Sequence, residues 1–258
     1  MHFDKETAKR VETTYKTPDI VRQRKFTRDL LALTEGERVL DIGTGPGLLA
    51  AEMAALVGPR GIIEGIDSSS DMLAVAEQHC ADYSHVRLQE ANATDLPFPE
   101  CNFDVVVSVQ VYEYVEDIEA ALAELRRVLR PGGRALIIDT DWDSLVINTE
   151  NRERMDRILC AWDSHAAHRD LPRKLMLLLD KAGLSVKQIA GYPIINNNAN
   201  IDTYSHGWLK SVHRYVDGHR GISGEEARAW LDELQTLERC GAFFMGLCRF
   251  AFVAHKPT

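Results

Sequence analysis

Residues 38–49, Arg38-Val39-Leu40-Asp41-Ile42-Gly43-Thr44-Gly45-Pro46-Gly47-Leu48-Leu49, read as a buried strand running into a glycine-rich turn and then a helix. The aliphatic, partly β-branched run of Val39, Leu40 and Ile42 suits a strand covered on both faces, the kind found in parallel sheets. Gly43, Gly45 and Gly47 remove three side chains where the chain turns tightly and where a ligand can touch the backbone. Beyond Gly47, residues 48–57 are strong helix formers closed by Gly58-Pro59, so the turn opens at a helix N-terminus.

The spacing is G-x-G-x-G, not the G-x-G-x-x-G that seats a pyrophosphate, and Leu48 occupies the place of the missing glycine. Asp41, acidic and just ahead of the turn, repels a phosphate and suits a cationic or amino-bearing ligand. Both features disfavour a nicotinamide oxidoreductase. With V-L-D-x-G-x-G-x-G as its first motif, the chain resembles the class I S-adenosylmethionine-dependent methyltransferases of the small-molecule type, similar to the ubiquinone and menaquinone biosynthesis enzymes.

The order of elements downstream agrees with that resemblance. Residues 61–67 read as a second strand ending in Asp67, about twenty residues past the turn, as a ribose-binding carboxylate requires. Ser68-Ser69-Ser70-Asp71 then offers several caps for a helix. A third strand over 85–90 leads to Asn92-Ala93-Thr94-Asp95-Leu96-Pro97. The resemblance puts Asp95 on the adenine amino group with Ala93 or Leu96 against the ring, and the other reading of Asp95 is an Asx turn before Pro97. A fourth strand, 103–109, ends at Gln110-Val111-Tyr112-Glu113-Tyr114, where open α/β sheets place their ligand crevice. Ile118, Leu122, Leu125 and Leu129 form a helical stripe before Pro131-Gly132-Gly133, and a fifth strand covers 134–139. The resemblance implies S-adenosylmethionine as cofactor, lined by Asp41, Gly43, Thr44, Gly45, Gly47, Asp67, Ser68, Met72, Ala93, Thr94, Asp95, Leu96, Val109 and Gln110.

With 258 residues, 45% of them hydrophobic, the chain fills one generous domain. A net charge of −9 leaves no basic footprint for nucleic acid or anionic membrane, so the expected partner is a small-molecule acceptor. The start, Met1-His2-Phe3-Asp4-Lys5-Glu6, is charged and lacks an apolar core, and no run is long enough to span a bilayer, which points to the cytoplasm without membrane insertion. Five cysteines stand singly with no C-x-x-C, which reads as reduced thiols and no zinc site. The sequence leaves a homodimer open.

The expected fold is therefore an α/β Rossmann-like three-layer sandwich, a seven-stranded, mainly parallel sheet with an antiparallel last strand. The resemblance implies that residues 1–258 make one methyltransferase domain: a helical lid over 1–35 broken at Thr13-Thr14-Tyr15 and Pro18, a cofactor core over 36–140, acceptor-side helices and a cap over 141–240, and a final strand over 241–258. A sixth strand covers 184–195, and the segment 196–240 before the last strand is long enough to cover an acceptor pocket. Asp139-Thr140-Asp141-Trp142-Asp143 reads as the acceptor-facing loop, with Tyr15, Tyr114, Trp142, Asn197 and Tyr204 on the acceptor side. Tyr15, Asp141, His165 and His206 are the candidates for a catalytic base. His165 and His168, a turn apart near Asp163, raise a metal site that lacks a diagnostic third ligand, and solvated helix histidines are the ordinary reading. The competing function is a non-catalytic cofactor-binding sensor or assembly protein.

Overall fold

The computed structural model describes residues 5–258, so the opening Met1–Asp4 lies outside the described residues. The leader forms two helices, α1 (Lys5–Tyr15) and α2 (Pro18–Leu31). Their break falls at Lys16-Thr17, not at Thr13–Tyr15. Pro18 forces Thr17 into an extended conformation, φ −63° and ψ 149°. Thr13 and Thr14 stay helical, their hydroxyls donating back to the carbonyls of Lys9 and Arg10.

From Arg38 onward strands and helices alternate: β1 (Arg38–Ile42), α3 (Leu48–Val57), β2 (Ile62–Asp67), α4 (Ser70–Cys80), β3 (Val86–Glu90), β4 (Phe103–Val109), α5 (Ile118–Val128) and β5 (Leu129–Ile147). There follow α6 (Arg152–Trp162), α7 (Pro172–Lys181), β6 (Ser185–Asn196), α8 (Tyr204–Val216), α9 (Gly224–Arg239) and β7 (Met245–His255). The seven strands form one sheet in the order β3-β2-β1-β4-β5-β7-β6. The first five run parallel, and β7 is antiparallel to both neighbours. This is the Rossmann-like arrangement that the motif order implies. Successive strands step outward from β1 in one direction and, from β4, in the other, so a crevice opens beyond the carboxyl ends of β1 and β4.

One boundary departs from expectation. The fifth strand does not end at Asp139 in a free loop: β5 stays paired with β7 as far as Ile147, with a register irregularity between Asp141 and Val146. The antiparallel partner supplies hydrogen bonds past the point where a parallel strand would have ended.

Two apolar clusters cover the two faces of the sheet, one with Leu40, Phe103, Leu122 and Leu175, the other with Val39, Met53, Val105 and Ile138. A third, beyond the carboxyl edge, joins α6, α8 and α9 to Ile20 of α2 and to Trp142, Met245 and Leu247. That cluster is a cap with a core of its own. No helix among the described residues is long and apolar enough to cross a membrane, and the five cysteines are free thiols.

Trp230 of α9 is fully buried at the centre of the cap, donating to the Met155 sulfur at 3.4 Å and meeting Trp208 edge-on at 6.3 Å. Trp230→Ala is expected to cost about 3–5 kcal/mol by denaturant unfolding. Hydrogen exchange should accelerate first in α6, α8 and α9. Faster exchange spread evenly over the sheet instead would show that the cap has no core of its own.

Candidate functional site

The glycine turn is stitched to the neighbouring strand, since Gly43 and Thr44 both donate to the Ile66 carbonyl at 2.8 Å. Its three glycines act for different reasons. A Cβ on Gly43 would lie 2.2 Å from Val111, and one on Gly47 would lie 2.7 Å from Ala76 on α4, so these two serve packing. Gly45, at φ +54°, would carry a Cβ with nothing within 4 Å. Of the three, Gly45 is the one whose missing side chain would point into open space.

Asp41 is 2% exposed, and its carboxylate accepts from the Thr44 hydroxyl at 2.8 Å. Burial, with the Asp67 charge adding to it, pushes its pKa up to about 7. Asp67, at the end of β2, accepts from the Gly45 amide and from the Ser69 amide, each at 2.9 Å. Burial raises its pKa against those bonds. Ser69 caps α4, its hydroxyl accepting from Met72, while Ser68 is exposed and the Met72 side chain is buried.

After β3 the chain turns through an Asx motif made by Asn92, whose side-chain oxygen accepts from Thr94, so the Asx turn is not Asp95's. The Asp95 side chain is exposed, with Ala93 and Leu96 buried on either side. This loop is clamped from α5: Glu124 accepts from the Leu96 amide at 2.8 Å, and Arg127 donates to the carbonyls of Phe98 and Leu96 at 2.7 and 2.9 Å.

At the end of β4, Gln110 adopts a left-handed φ of +58°, unusual for a side chain of its kind. Its carbonyl oxygen accepts from Thr140 at 2.7 Å, and its buried Nε2 has no partner. Tyr15, Gln23, Arg24, Thr27, Asp41, Gly43, Thr44, Val109, Gln110 and Arg249 line a small recess at this edge. The structure thus brings six of the sequence-selected residues together there, from α1, the β1 turn and β4.

The acids beyond β5 do not form a free loop. Asp139 and Thr140 are fully buried, and Asp139 accepts from the amides of Val111 and Glu113 at 3.1 and 3.4 Å. Asp141 is held by the Arg173 guanidinium at 2.6 and 2.9 Å, and Asp143 pairs with Arg173 and Arg169. Asp141 is thus committed to an ion pair with a guanidinium. His165 stacks on Trp162 with centroids 3.8 Å apart and its Nδ1 on the Trp162 carbonyl. Burial drives its pKa down to about 4. It lies among Tyr114, Trp142 and Tyr215, not on a solvated helix face. His168 is occupied with the carbonyls of Val115 and Glu116. His206 is tied to the Ala199 carbonyl, and Asn197 is exposed. Its neighbour Asn196 is the buried one, bridging Asp19 of α2 to the Ser205 amide of α8. Among the described residues no group of three His, Cys, Asp or Glu is arranged for a metal.

Glu113 and Arg249 went unselected in the sequence. Glu113 is fully buried, with one carboxylate oxygen accepting from the Thr140 amide at 3.2 Å and the other without a partner. Burial outweighs the Arg249 charge and the adjacent Tyr114 hydroxyl, raising it to about 7. Its mark in the sequence is an acid between two tyrosines at a strand's carboxyl end. Arg249 is 3% exposed, donates to the Gln23 side chain, and lies 4.9 Å from the ring centre of Tyr204. Its mark is a lone cation inside an apolar terminal strand. Burial pushes the Tyr15 hydroxyl up to about 12, with Arg249 opposing, and holds Tyr114 and Tyr204 protonated as well.

Residues 40–137 match the methyltransferase domain family. Over 119 residues the chain is 39% identical to the ubiquinone/menaquinone biosynthesis C-methyltransferase of Teredinibacter turnerae, a stretch covering 45% of this chain and 48% of that enzyme. The chain thus spans about half the length of the curated methyltransferases it matches. An uncharacterized 37.1 kDa protein in a Streptomyces fradiae transposon is 30% identical over 244 residues, 92% of this chain and 68% of that protein. Among solved structures, the YcgJ protein of Bacillus subtilis superposes with a TM-score of 0.63 at 21% identity, covering 92% of this chain and 99% of that one. Phosphoethanolamine N-methyltransferase 2 of Haemonchus contortus, in complex with S-adenosylmethionine, gives 0.63 at 19%, covering 99% and 58%. The chain belongs to the class I S-adenosylmethionine-dependent methyltransferases, of the type similar to the ubiquinone and menaquinone C-methyltransferases, and S-adenosylmethionine is its cofactor.

Proposed function

We propose that this chain moves the methyl group of S-adenosylmethionine to a nucleophilic oxygen, nitrogen, sulfur or carbon of a small organic acceptor, releasing S-adenosylhomocysteine. The observation that carries the reading is one juxtaposition: two raised carboxyls, Asp41 and Asp67, flank the one turn glycine that faces open space. A carboxyl at the end of β2 with two backbone donors keeps lone pairs for a ribose diol. Asp41 faces the recess as a partner for an ammonium. The exposed Asp95, between buried Ala93 and Leu96, is the group for an exocyclic amine, with Thr94, Ser68 and Met72 framing the same side. Val109, Gln110, Gly43, Thr44 and Gly47 shape the amino-acid end, and the unpartnered Nε2 of Gln110 is a donor free for it.

When bound, the cofactor supplies an already activated methyl. What this chain adds is alignment and exclusion of water, worth up to about 7–11 kcal/mol for well-oriented reactants. Tyr15, Tyr114, Trp142 and Tyr204 form the acceptor side, with the tyrosine hydroxyls held neutral. Where the acceptor carries a proton, Glu113 is the group poised near neutrality to hold it, acting through the adjacent Tyr114. The screen that tests this reading incubates the protein with labelled S-adenosylmethionine and a panel of phenols, amines, thiols and carbon acids. Methylated product supports it. Cofactor binding with no turnover anywhere in a broad panel would overturn it.

Asp67→Ala should weaken S-adenosylhomocysteine binding at least tenfold by calorimetry, a loss of about 1.4 kcal/mol. Gly45→Ala and Gly47→Ala should separate the two uses of the turn. Both carry a positive φ and should melt lower, Gly47→Ala the more because its methyl also meets α4 backbone, whereas Gly45→Ala should show the larger loss of S-adenosylhomocysteine binding relative to its loss of melting temperature.

The raised Asp41 also fixes a pH dependence. Its folded-state pKa, about 7, lies above its ordinary 3.8, so its contribution to stability is complete below about 4 and is lost as pH rises through 7. Ligand-free protein should therefore melt lower at pH 8 than at pH 5, and Asp41→Asn should flatten that slope. Binding of an ammonium favours the ionised carboxyl, so affinity for S-adenosylhomocysteine should fall by up to tenfold per unit below pH 7. Affinity that is flat from pH 5 to 8 in the wild type would remove the ammonium role.

A further inference from the structure

We propose that Arg249 is the seat of a substrate carboxylate, either on the methyl acceptor or at the amino-acid end of the cofactor. This rests on the methyltransferase reading and adds the charge that one end of the bound substrates must carry. Arg249 is among the most buried cations of the chain, 3% exposed, and it lines the same recess as the glycine turn. It is paired with the Gln23 amide and with the face of Tyr204; among the described residues no carboxylate forms an ion pair with it, and the nearest acids that feel its charge are the buried Glu113 and Asp139. Its Nε is buried and without a partner.

A buried guanidinium that no contacting carboxylate balances is costly, because desolvation of its charge goes largely uncompensated. Such a group persists where something else supplies the missing anion. The planar fork of a guanidinium matches the two oxygens of a carboxylate, and a donor left open at Nε is one edge of that fork. The charge count favours a monoanion. Arg24, the other cation of the recess, is already spent on Glu52 and on the Tyr15 carbonyl, at 2.8 and 2.5 Å. A phosphate would be left with one positive partner for nearly two negative charges. Tyr15 and Tyr204, next to Arg249, add neutral hydroxyl donors and no competing anion.

The test uses the full chain, with Arg249→Met and Arg249→Lys beside the wild type. Calorimetry measures S-adenosylhomocysteine, 5′-methylthioadenosine, which lacks the amino-acid end, and benzoate, phenylacetate and hexanoate, each against its neutral amide, with and without S-adenosylhomocysteine present. If the cofactor is the source, Arg249→Met binds S-adenosylhomocysteine at least tenfold more weakly and 5′-methylthioadenosine unchanged. If the acceptor is the source, S-adenosylhomocysteine is held equally, while a carboxylate preferred over its amide by the wild type loses that preference in Arg249→Met. Arg249→Lys, charged but without the fork, should fall between the two in either case. A residue that merely pinned the strand would lower the melting temperature when replaced. Loss of an unbalanced buried charge should leave it equal or higher. Equal loss of both nucleosides, or no carboxylate preference in the wild type together with unchanged S-adenosylhomocysteine affinity in Arg249→Met, would overturn the proposal. A wild type that binds carboxylates but no S-adenosylhomocysteine would instead sink the cofactor reading and leave Arg249 standing.

Discussion

The carboxylate of Asp67 holds two backbone amides from two different connections, Gly45 of the turn after β1 and Ser69 ahead of α4. Much of the site's geometry depends on that bridge. It fixes the turn against the neighbouring strand, sets the start of α4, and leaves Gly45 facing open space. The packing of Gly43 on Val111 and of Gly47 on Ala76 completes the restraint from the two other sides. A loop held at three points needs little ordering when a ligand arrives, so little binding energy is lost to it.

The second constraint comes from β7. Because it runs antiparallel and pairs with β5 beyond Asp139, the fifth strand continues past the carboxyl edge instead of opening into a loop. The extension carries Trp142 into the cap core and leaves Asp141 and Asp143 to be neutralised by Arg173 and Arg169. The cap is then locked to the leader by Asp19, which accepts from the Asn196 side chain and from the Tyr204 amide. The leader that carries Tyr15 and the cap that carries Tyr204 thus close over the recess as one unit.

This division explains what was legible in the sequence. The strands and helices from Arg38 to Val128 follow from local signals: apolar runs, glycine stops, a cap at Ser69 and a stripe on α5. Asp41, Gly45 and Asp67 could be chosen because their roles depend on spacing along one strand-turn-helix unit. The acceptor side has no such grammar. Asn196 was missed for Asn197 because two adjacent asparagines differ only in which one the end of a strand turns inward. Glu113 stands in the stretch read after the fourth strand without a role of its own, and Arg249 meets Gln23 across 226 residues. Glu124 and Arg127 of α5, which carry no signal in the sequence, hold the loop that carries Asp95. Each of these depends on contacts that form only after the sheet is assembled.

The buried charges decide how the site can work. Asp41, Glu113 and Asp139 lie in a region that water does not reach, and each is pushed upward by burial; Asp139 also feels the Glu113 charge. Burial in this way favours the neutral form of each carboxyl, which a bound cation would work against. Arg249 sits among them with its charge permanent, because a guanidinium does not release its proton. In the ligand-free protein the acids can stay neutral and the arginine cannot. The recess therefore holds one permanent cation, Arg249, that no carboxylate contacts in an ion pair, with Glu113 and Asp139 as the buried acids its charge reaches. Near Asp41 it lacks a cation only once that carboxyl ionises. A protein built this way binds its substrates partly by completing its own charge balance, and that preference for charged ends over neutral analogues follows from the residues themselves.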